Sequence, residues 1–253
     1  MLNLTTFGND SGKPPLLIAH GLFGSARNWG AIARRLADDR RVTLVDMRNH
    51  GDSFWSEIHD YPSLAADLAA VIGADHRQMD LLGHSMGGKA AMMLALLHPE
   101  LVNRLIVADI APVAYDHSLN HLITAMRGLD LAGLTSRLDA NRLLASGVPE
   151  DGTRAFLLQS LDLKSEPPRW RLNLDVLDAE MARITGWPDT QGRFDGPSLF
   201  LTGALSDYVL AEHRATIKAL FPAAIMAKIP GAGHWLHAEK PREFEAAIRA
   251  FLT

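Results

Sequence analysis

The stretch Gly83-His84-Ser85-Met86-Gly87 places a serine between two glycines, each two residues away. A serine hydroxyl becomes a competent nucleophile when a base lies within hydrogen-bond reach, usually a histidine that is itself oriented by a carboxylate. Met79 to Leu82 have strand character and lead into this stretch, and a Met- and Leu-rich helical pattern leaves it. Ser85 is therefore expected at a sharp strand-to-helix turn, a nucleophile elbow. Side chains at positions 83 and 87 would collide across such a turn, which accounts for the glycines. The turn would also set the Met86 amide at a helix N-terminus, where an unpaired N–H favours a developing oxyanion. The same residues, Gly83 through Lys89, match a phosphate-binding loop up to its last position. There, Ala90 replaces the Ser or Thr whose hydroxyl would hold magnesium.

The remaining parts of an acyl-transfer site have candidates elsewhere. Of the eleven histidines, His234 lies in Gly231-Ala232-Gly233-His234-Trp235, a small-residue loop that could hold a ring against the elbow. It is the expected base. His237 follows three residues on, but without a third ligand pattern the pair does not predict a metal site. His117 and His121 are read as a solvated helix face. The second oxyanion donor is expected from a backbone amide after the first buried strand, and His20-Gly21-Leu22-Phe23-Gly24 offers the Leu22 amide. His20 and Asn49-His50 are read as loop braces, and Trp29 and Trp235 as core residues. The acid has two candidates. The usual position, three residues beyond the glycine ending the strand at Ser198, is occupied by Ser206, with Asp207 one residue out of phase. Asp109 ends the strand that follows the elbow helix, and it is preferred because a buried neighbouring strand fixes its direction.

These residues need elements to bring them together. Leu16–Ala19, Val42–Val45, Met79–Leu82, Leu101–Ala108, Ser198–Leu201 and Ala224–Ile229 read as buried strands, and Leu2–Phe7 as an edge strand. Helical patterns lie between them, including Leu64 to Ile72, the segment after Ser85 that Pro99 stops, Ala211–Leu220 and Pro241–Leu252. Alternating strands and helices predict an α/β fold with a mostly parallel sheet, whose sites form at the carboxyl ends of strands. His20, Asp46, Ser85, Asp109, Gly203 and His234 all sit at such ends. Between Ala111 and Pro188 the strand rhythm disappears, with helical candidates at Leu119–Leu129, Leu134–Leu144, Arg154–Leu161 and Leu174–Ile184. A structureless loop of that length is uncommon, so residues 111–188 are expected as a helical cap inserted into a core formed by 1–110 and 189–253.

Composition sets outer limits. A chain of 253 residues with 47% hydrophobic content can bury a full core. The absence of cysteine excludes disulfides and a thiol nucleophile. The N-terminus shows no secretion signal and no apolar run reaches membrane-spanning length, so cytoplasmic localisation without membrane insertion is expected. A net charge of -4 argues against a nucleic-acid partner.

Taken together, the chain resembles the α/β-hydrolase superfamily and, within it, the YbfF-type esterases. The likeness rests on His20–Gly24, Asp46-Met47-Arg48-Asn49-His50-Gly51, Gly83–Lys89, Asp109-Ile110-Ala111-Pro112, Trp170-Arg171-Leu172-Asn173, Ser206-Asp207-Tyr208-Val209 and Gly231–Pro241. It implies an eight-stranded sheet with a helical cap and a serine esterase for small acyl esters or acyl-CoA thioesters. It also implies Ser85, Asp109 and His234 as the triad, with Ser206 near the histidine. By the same likeness, Trp170, Arg171 and Asn173 would lie over the catalytic face, with Arg171 meeting an anionic or carbonyl-rich substrate. Asp207 departs from the family pattern. The same scaffold hosts carbon–carbon bond hydrolases, cofactor-free perhydrolases and hydrolase-derived receptors, so fold alone does not choose the activity. An acyl-enzyme route uses no cofactor. Hydrolysis of p-nitrophenyl esters is therefore expected to persist in excess chelator and without ATP, and a strict divalent-metal requirement would restore the phosphate-loop reading.

Overall fold

The computed structural model describes residues 1–253. Strand β1 (Asn3–Phe7) is followed by β2 (Leu16–Ala19), a 3-10 turn over Ala26–Trp29, helix α1 (Gly30–Leu36), β3 (Val42–Asp46) and α2 (Tyr61–Asp75). The chain continues through β4 (Met79–His84), α3 (Met86–Leu97) and β5 (Val102–Ala108). An insertion then carries α4 (Asn120–Arg127), α5 (Arg137–Leu144), α6 (Asp151–Leu157), the short strands β6 (Leu161–Asp162) and β7 (Arg169–Trp170), α7 (Leu174–Ala179) and α8 (Met181–Thr185). The closing elements are β8 (Ser198–Gly203), α9 (His213–Leu220), β9 (Ala224–Ile229), α10 (Leu236–Glu239) and α11 (Pro241–Leu252).

The main sheet has seven strands in the order β1-β3-β2-β4-β5-β8-β9. All pairs are parallel except β1 with β3 at one edge. The expected eighth strand is absent. Only β1 precedes β2, and Pro14-Pro15, with no N–H to donate, ends the turn between them. The insertion also differs from expectation in one respect, because β6 and β7 pair antiparallel within it.

Strand periodicity divides the core between the two faces. Leu16, Ile18, Leu82, Ile106, Leu199 and Leu201 pack with Trp29, Ile32 and Leu36 of the α1 region and Phe244, Ile248 and Leu252 of α11. Leu17, Ala19, Leu81, Val107 and Phe200 face the other way, toward α2 and α3. The apolar residues of the insertion, including Leu122, Ile123, Met126, Leu144, Leu157 and Leu177, belong to this second cluster. The insertion is thus packed as a continuation of the core. Helix α2 starts where the sequence dictates, with the Asp60 side chain accepting from the Ser63 amide and Pro62 in the first turn. No helix is long and apolar enough to cross a membrane.

At the strand ends remote from Ser85, the fully buried Asp80 accepts from Arg40 Nη1 at 2.8 Å, Asn103 Nδ2 at 2.7 Å and Arg104 Nε at 3.1 Å. Both guanidinium groups also donate to carbonyls of the last helix's end, at Leu252 and Phe251. Removing one partner of such a buried pair leaves an uncompensated charge. Asp80→Ala is expected to destabilise the protein by about 3–5 kcal/mol, read from the midpoint of urea unfolding.

Candidate active site

The parallel register of β2, β4, β5 and β8 brings their carboxyl ends to one rim, and the elbow stands on that rim. Ser85 caps α3 with φ 52 and ψ −120, a conformation that a non-glycine residue adopts only where its surroundings enforce it. The enforcement is steric. A Cβ on Gly83 would lie 2.1 Å from the Gly87 carbonyl oxygen, and one on Gly87 would lie 2.4 Å from the His20 carbonyl oxygen. The two glycines let the β4–α3 turn close against β2.

His234 Nε2 lies 3.1 Å from Ser85 Oγ, and His234 Nδ1 lies 2.8 Å from Asp109 Oδ2. A proton on Nδ1, facing the carboxylate, leaves Nε2 as acceptor for the serine hydroxyl. Asp109 has no exposed surface and adopts φ 54 just past β5. Its Oδ1 accepts from the Gly203 amide at 3.0 Å, and its Oδ2 also accepts from the Ser206 hydroxyl. Ser206, at the usual acid position, thus donates to the carboxylate that comes from the neighbouring strand. Asp207 is exposed and makes no side-chain hydrogen bond or ion pair.

Several groups hold the histidine loop. Tyr208 stacks on the His234 imidazole with centroids 3.8 Å apart and an interplanar angle of 17°. Tyr208 is itself tied by its carbonyl, which accepts from Tyr115 Oη at 2.7 Å. His84 Nε2 donates to the His234 carbonyl at 2.9 Å, and Glu239 accepts from the Gly233 amide at 2.7 Å. Tyr115 and Tyr208 were not read from the sequence as site residues. Tyr208 was visible only as part of Ser206–Val209, and nothing near Tyr115 marks it, because its partner lies 93 residues away.

Leu22 lies beside the serine in the loop after β2, and its amide has no hydrogen-bond partner. The Met86 amide is the first of α3, where no intrahelical acceptor exists. The His20 and His50 rings brace the adjoining loops as anticipated: His20 Nε2 accepts from the Met47 amide at 3.0 Å and His50 Nε2 from the Phe23 amide at 3.2 Å. Burial pushes both imidazoles below the usual histidine range, and it takes His59 down to about 4, so all three stay neutral and can accept. His237 stacks on Trp29 at 4.2 Å in the core, where burial lowers it to about 3. Lys89 is also buried, with Nζ donating to the Thr185 and Gly186 carbonyls at 2.9 and 2.5 Å. Burial without a carboxylate partner lowers it to about 7.

A cavity of about 300 Å³ opens onto Ser85 and His234. Its apolar wall includes Leu119, Leu122, Phe156, Leu157 and Trp235, and its polar rim His121, Glu150 and Thr153. Trp235 therefore faces this space and is not a core residue, and His121, exposed on its helix as expected, also lines the cavity mouth. Trp170, Arg171 and Asn173 do not line it. The Trp170 indole donates to the Met126 carbonyl at 2.9 Å, Asn173 Nδ2 donates to Asn49 Oδ1 at 3.1 Å, and Arg171 pairs with Asp52 at 2.9 Å and Asp162 at 3.2 Å. The polar cluster that looked substrate-facing is engaged within the protein: Arg171 and Asn173 join the insertion to the β3 loop, and Trp170 is tied to α4 inside the insertion.

The chain belongs to the α/β-hydrolase family, whose model, described as alpha/beta hydrolase fold, matches residues 14–241. Within that family it is similar to esterase YbfF of Escherichia coli (strain K12), 38% identical over 98% of this chain and 96% of that protein. It is equally similar to the sn-1-specific diacylglycerol lipase ABHD11 of Mus musculus, 38% identical over 100% of this chain and 85% of that protein. A solved structure described as a marine microorganism esterase superposes with a TM-score of 0.93 at 37% identity, covering 99% of this chain and 98% of its own.

The two ion pairs of Arg171 generate an expectation about specificity. Arg171→Ala is expected to lower kcat/KM for acyl-CoA thioesters and for short neutral p-nitrophenyl esters by the same factor, since the side chain serves packing. Steady-state kinetics on both substrate classes check this, and a loss confined to the anionic class would return Arg171 to the substrate.

Proposed function

We propose that the protein is a serine carboxylic ester hydrolase working through an acyl-enzyme, with Ser85 as nucleophile, His234 as base and Asp109 as acid. One observation carries the reading: the unbroken hydrogen-bonded chain from Asp109 through His234 to Ser85 opens on a cavity that is also lined by Leu22, whose amide has no partner. The names of the similar proteins, an esterase and a lipase, point the same way.

In this mechanism His234 Nε2 takes the Ser85 proton as Oγ attacks the ester carbonyl carbon. The tetrahedral oxyanion is met by the amides of Leu22 and Met86. The imidazolium returns the proton to the departing alcohol oxygen, leaving an acyl-serine. Water, deprotonated by the same nitrogen, then attacks the acyl carbon and releases the acid and Ser85. Asp109 holds the imidazole tautomer and stabilises its charged form, while Ser206 and Gly203 hold Asp109. The insertion over residues 111–188 acts as the cap, and its apolar wall of Leu119, Leu122, Phe156 and Leu157 receives the acyl part of a small ester. Hydrolysis of acyl-CoA thioesters follows the same steps with sulfur as the leaving atom.

Ser85→Ala is expected to abolish turnover of p-nitrophenyl esters in a folded protein, and retention of a tenth of the wild-type kcat would remove Ser85 from the role. A graded series of acyl chain lengths, as p-nitrophenyl esters and as acyl-CoA thioesters, measures the substrate class. The acid is tested by a direct comparison. Asp109→Asn is expected to lower kcat roughly 10⁴-fold through the wrong histidine tautomer, and Asp207→Asn less than about tenfold. The reverse order would move the acid to the loop after β8.

A further inference from the structure

The loop carrying the Leu22 amide contains a residue in an unfavourable conformation. Gly24 N–H donates to the Gly21 carbonyl at 3.0 Å, closing a tight turn, and inside it Phe23 has φ 63. That left-handed region suits glycine or asparagine, and a bulky residue held there needs external support. Both backbone groups of Phe23 receive it. Its N–H donates to His50 Nε2 at 3.2 Å, and its carbonyl accepts from Ser160 Oγ at 2.8 Å. Phe23, His50 and Ser160 are all buried.

The two supports come from different parts of the chain and are themselves joined. His50 follows β3 and Ser160 follows α6 in the insertion. The Arg171 amide donates to the Ser160 carbonyl at 2.8 Å, and the Gly51 amide donates to the Arg171 carbonyl at 2.8 Å. The links Phe23 to His50, Gly51 to Arg171, Arg171 to Ser160 and Ser160 to Phe23 therefore close a ring through three segments. A second contact runs parallel to it, from Asn28 Nδ2 to Gln159 Oε1 at 2.6 Å.

We propose that Ser160 is a positioning residue for the oxyanion hole, so that the insertion fixes the direction of the Leu22 amide as well as covering the substrate. The proposal rests on the hydrolase reading given above. The Leu22 and Phe23 residues share one turn, so the orientation of the peptide planes at Phe23 sets the direction of the neighbouring N–H. An oxyanion donor stabilises the transition state only if it is held in place before the charge develops. Loosening the Phe23 carbonyl therefore affects the chemical step and leaves the binding of the uncharged ester unchanged. The cavity wall acts in the opposite sense, since Leu122 and Phe156 line the acyl-binding space and make none of the hydrogen bonds that hold the turn.

The test compares Ser160→Ala with wild type by kinetics and by amide hydrogen exchange of the peptide covering residues 20–26. Ser160→Ala is expected to lower kcat by about tenfold on p-nitrophenyl esters of every acyl length, part of the roughly 10²–10³ that removal of a whole oxyanion donor costs. KM should stay within about twofold, and exchange in residues 20–26 should quicken. Ser160→Thr, which keeps the hydroxyl, should recover most of the kcat and the slow exchange. Phe156→Ala should instead alter KM and chain-length preference, with exchange in residues 20–26 unchanged. The proposal is overturned if Ser160→Ala leaves kcat unchanged, if its effect falls on KM alone, or if exchange in residues 20–26 does not change. Absence of ester turnover in the wild-type protein would refute the hydrolase reading instead, and the exchange comparison would then decide the clamp by itself.

Discussion

Close approach of three backbone segments at the Ser85 turn is the constraint from which the rest of the site follows. Gly83 lies against the Gly87 carbonyl, and Gly87 lies against β2 at Ala19 and His20. No side chain fits in either gap, so the turn between β4 and α3 can tighten until Ser85 is driven to φ 52. Flanking it are β2 and β5, the neighbours of β4 in the sheet. Their carboxyl ends supply the loop carrying the unpaired Leu22 amide on one side and Asp109 on the other. Sheet order therefore sets the composition of the site before any catalytic side chain is considered.

Asp109 shows how a buried carboxylate is kept usable. It is wholly inside the protein, yet its two oxygens meet the Gly203 amide, the Ser206 hydroxyl and the His234 imidazole. A carboxylate with these donors satisfies its lone pairs without a fixed cation beside it, and the proton-carrying histidine remains the only titratable partner. Ser206 occupies the place from which the acid usually comes, at the end of β8, and there it donates to the Asp109 carboxylate at the end of β5. Moving the carboxylate one strand over preserves its direction toward His234 because β5 and β8 are paired in register at Ala108 and Leu201.

The insertion shares the main apolar cluster with α2 and α3, and it makes polar contacts with α3, with the β3 loop and, through Ser160, with the loop after β2. Lys89, one turn beyond Ser85 on α3, donates to the carbonyls that end α8. Arg171 and Asn173 hold the β3 loop through Gly51, Asp52 and Asn49. These contacts make the cavity wall and the rim of the sheet one packed unit, so a change in the insertion reaches the serine through the backbone as well as through substrate contacts.

Much of this was legible from the chain alone because the deciding signals are local. Glycine at 83 and 87 reports a steric requirement within five residues, apolar runs report buried strands, and parallel order places their ends together. Ser85, His234 and the preference for Asp109 over Asp207 came from those signals, as did the helices of the insertion to within a few residues. Pairing across long sequence separations is not written locally, and it decided the rest. The strand count fell to seven because no partner exists beyond β1. The bonds of Arg171 to Asp52 and of Ser160 to Phe23 span 119 and 137 residues, and no periodicity or spacing encodes them. A polar side chain near a site reads identically in sequence whether it faces a substrate or a protein carbonyl. Only the packed chain, in which every buried donor must find an acceptor, assigned Arg171, Asn173 and Trp170 to bracing and turned Trp235 and His121 toward the cavity.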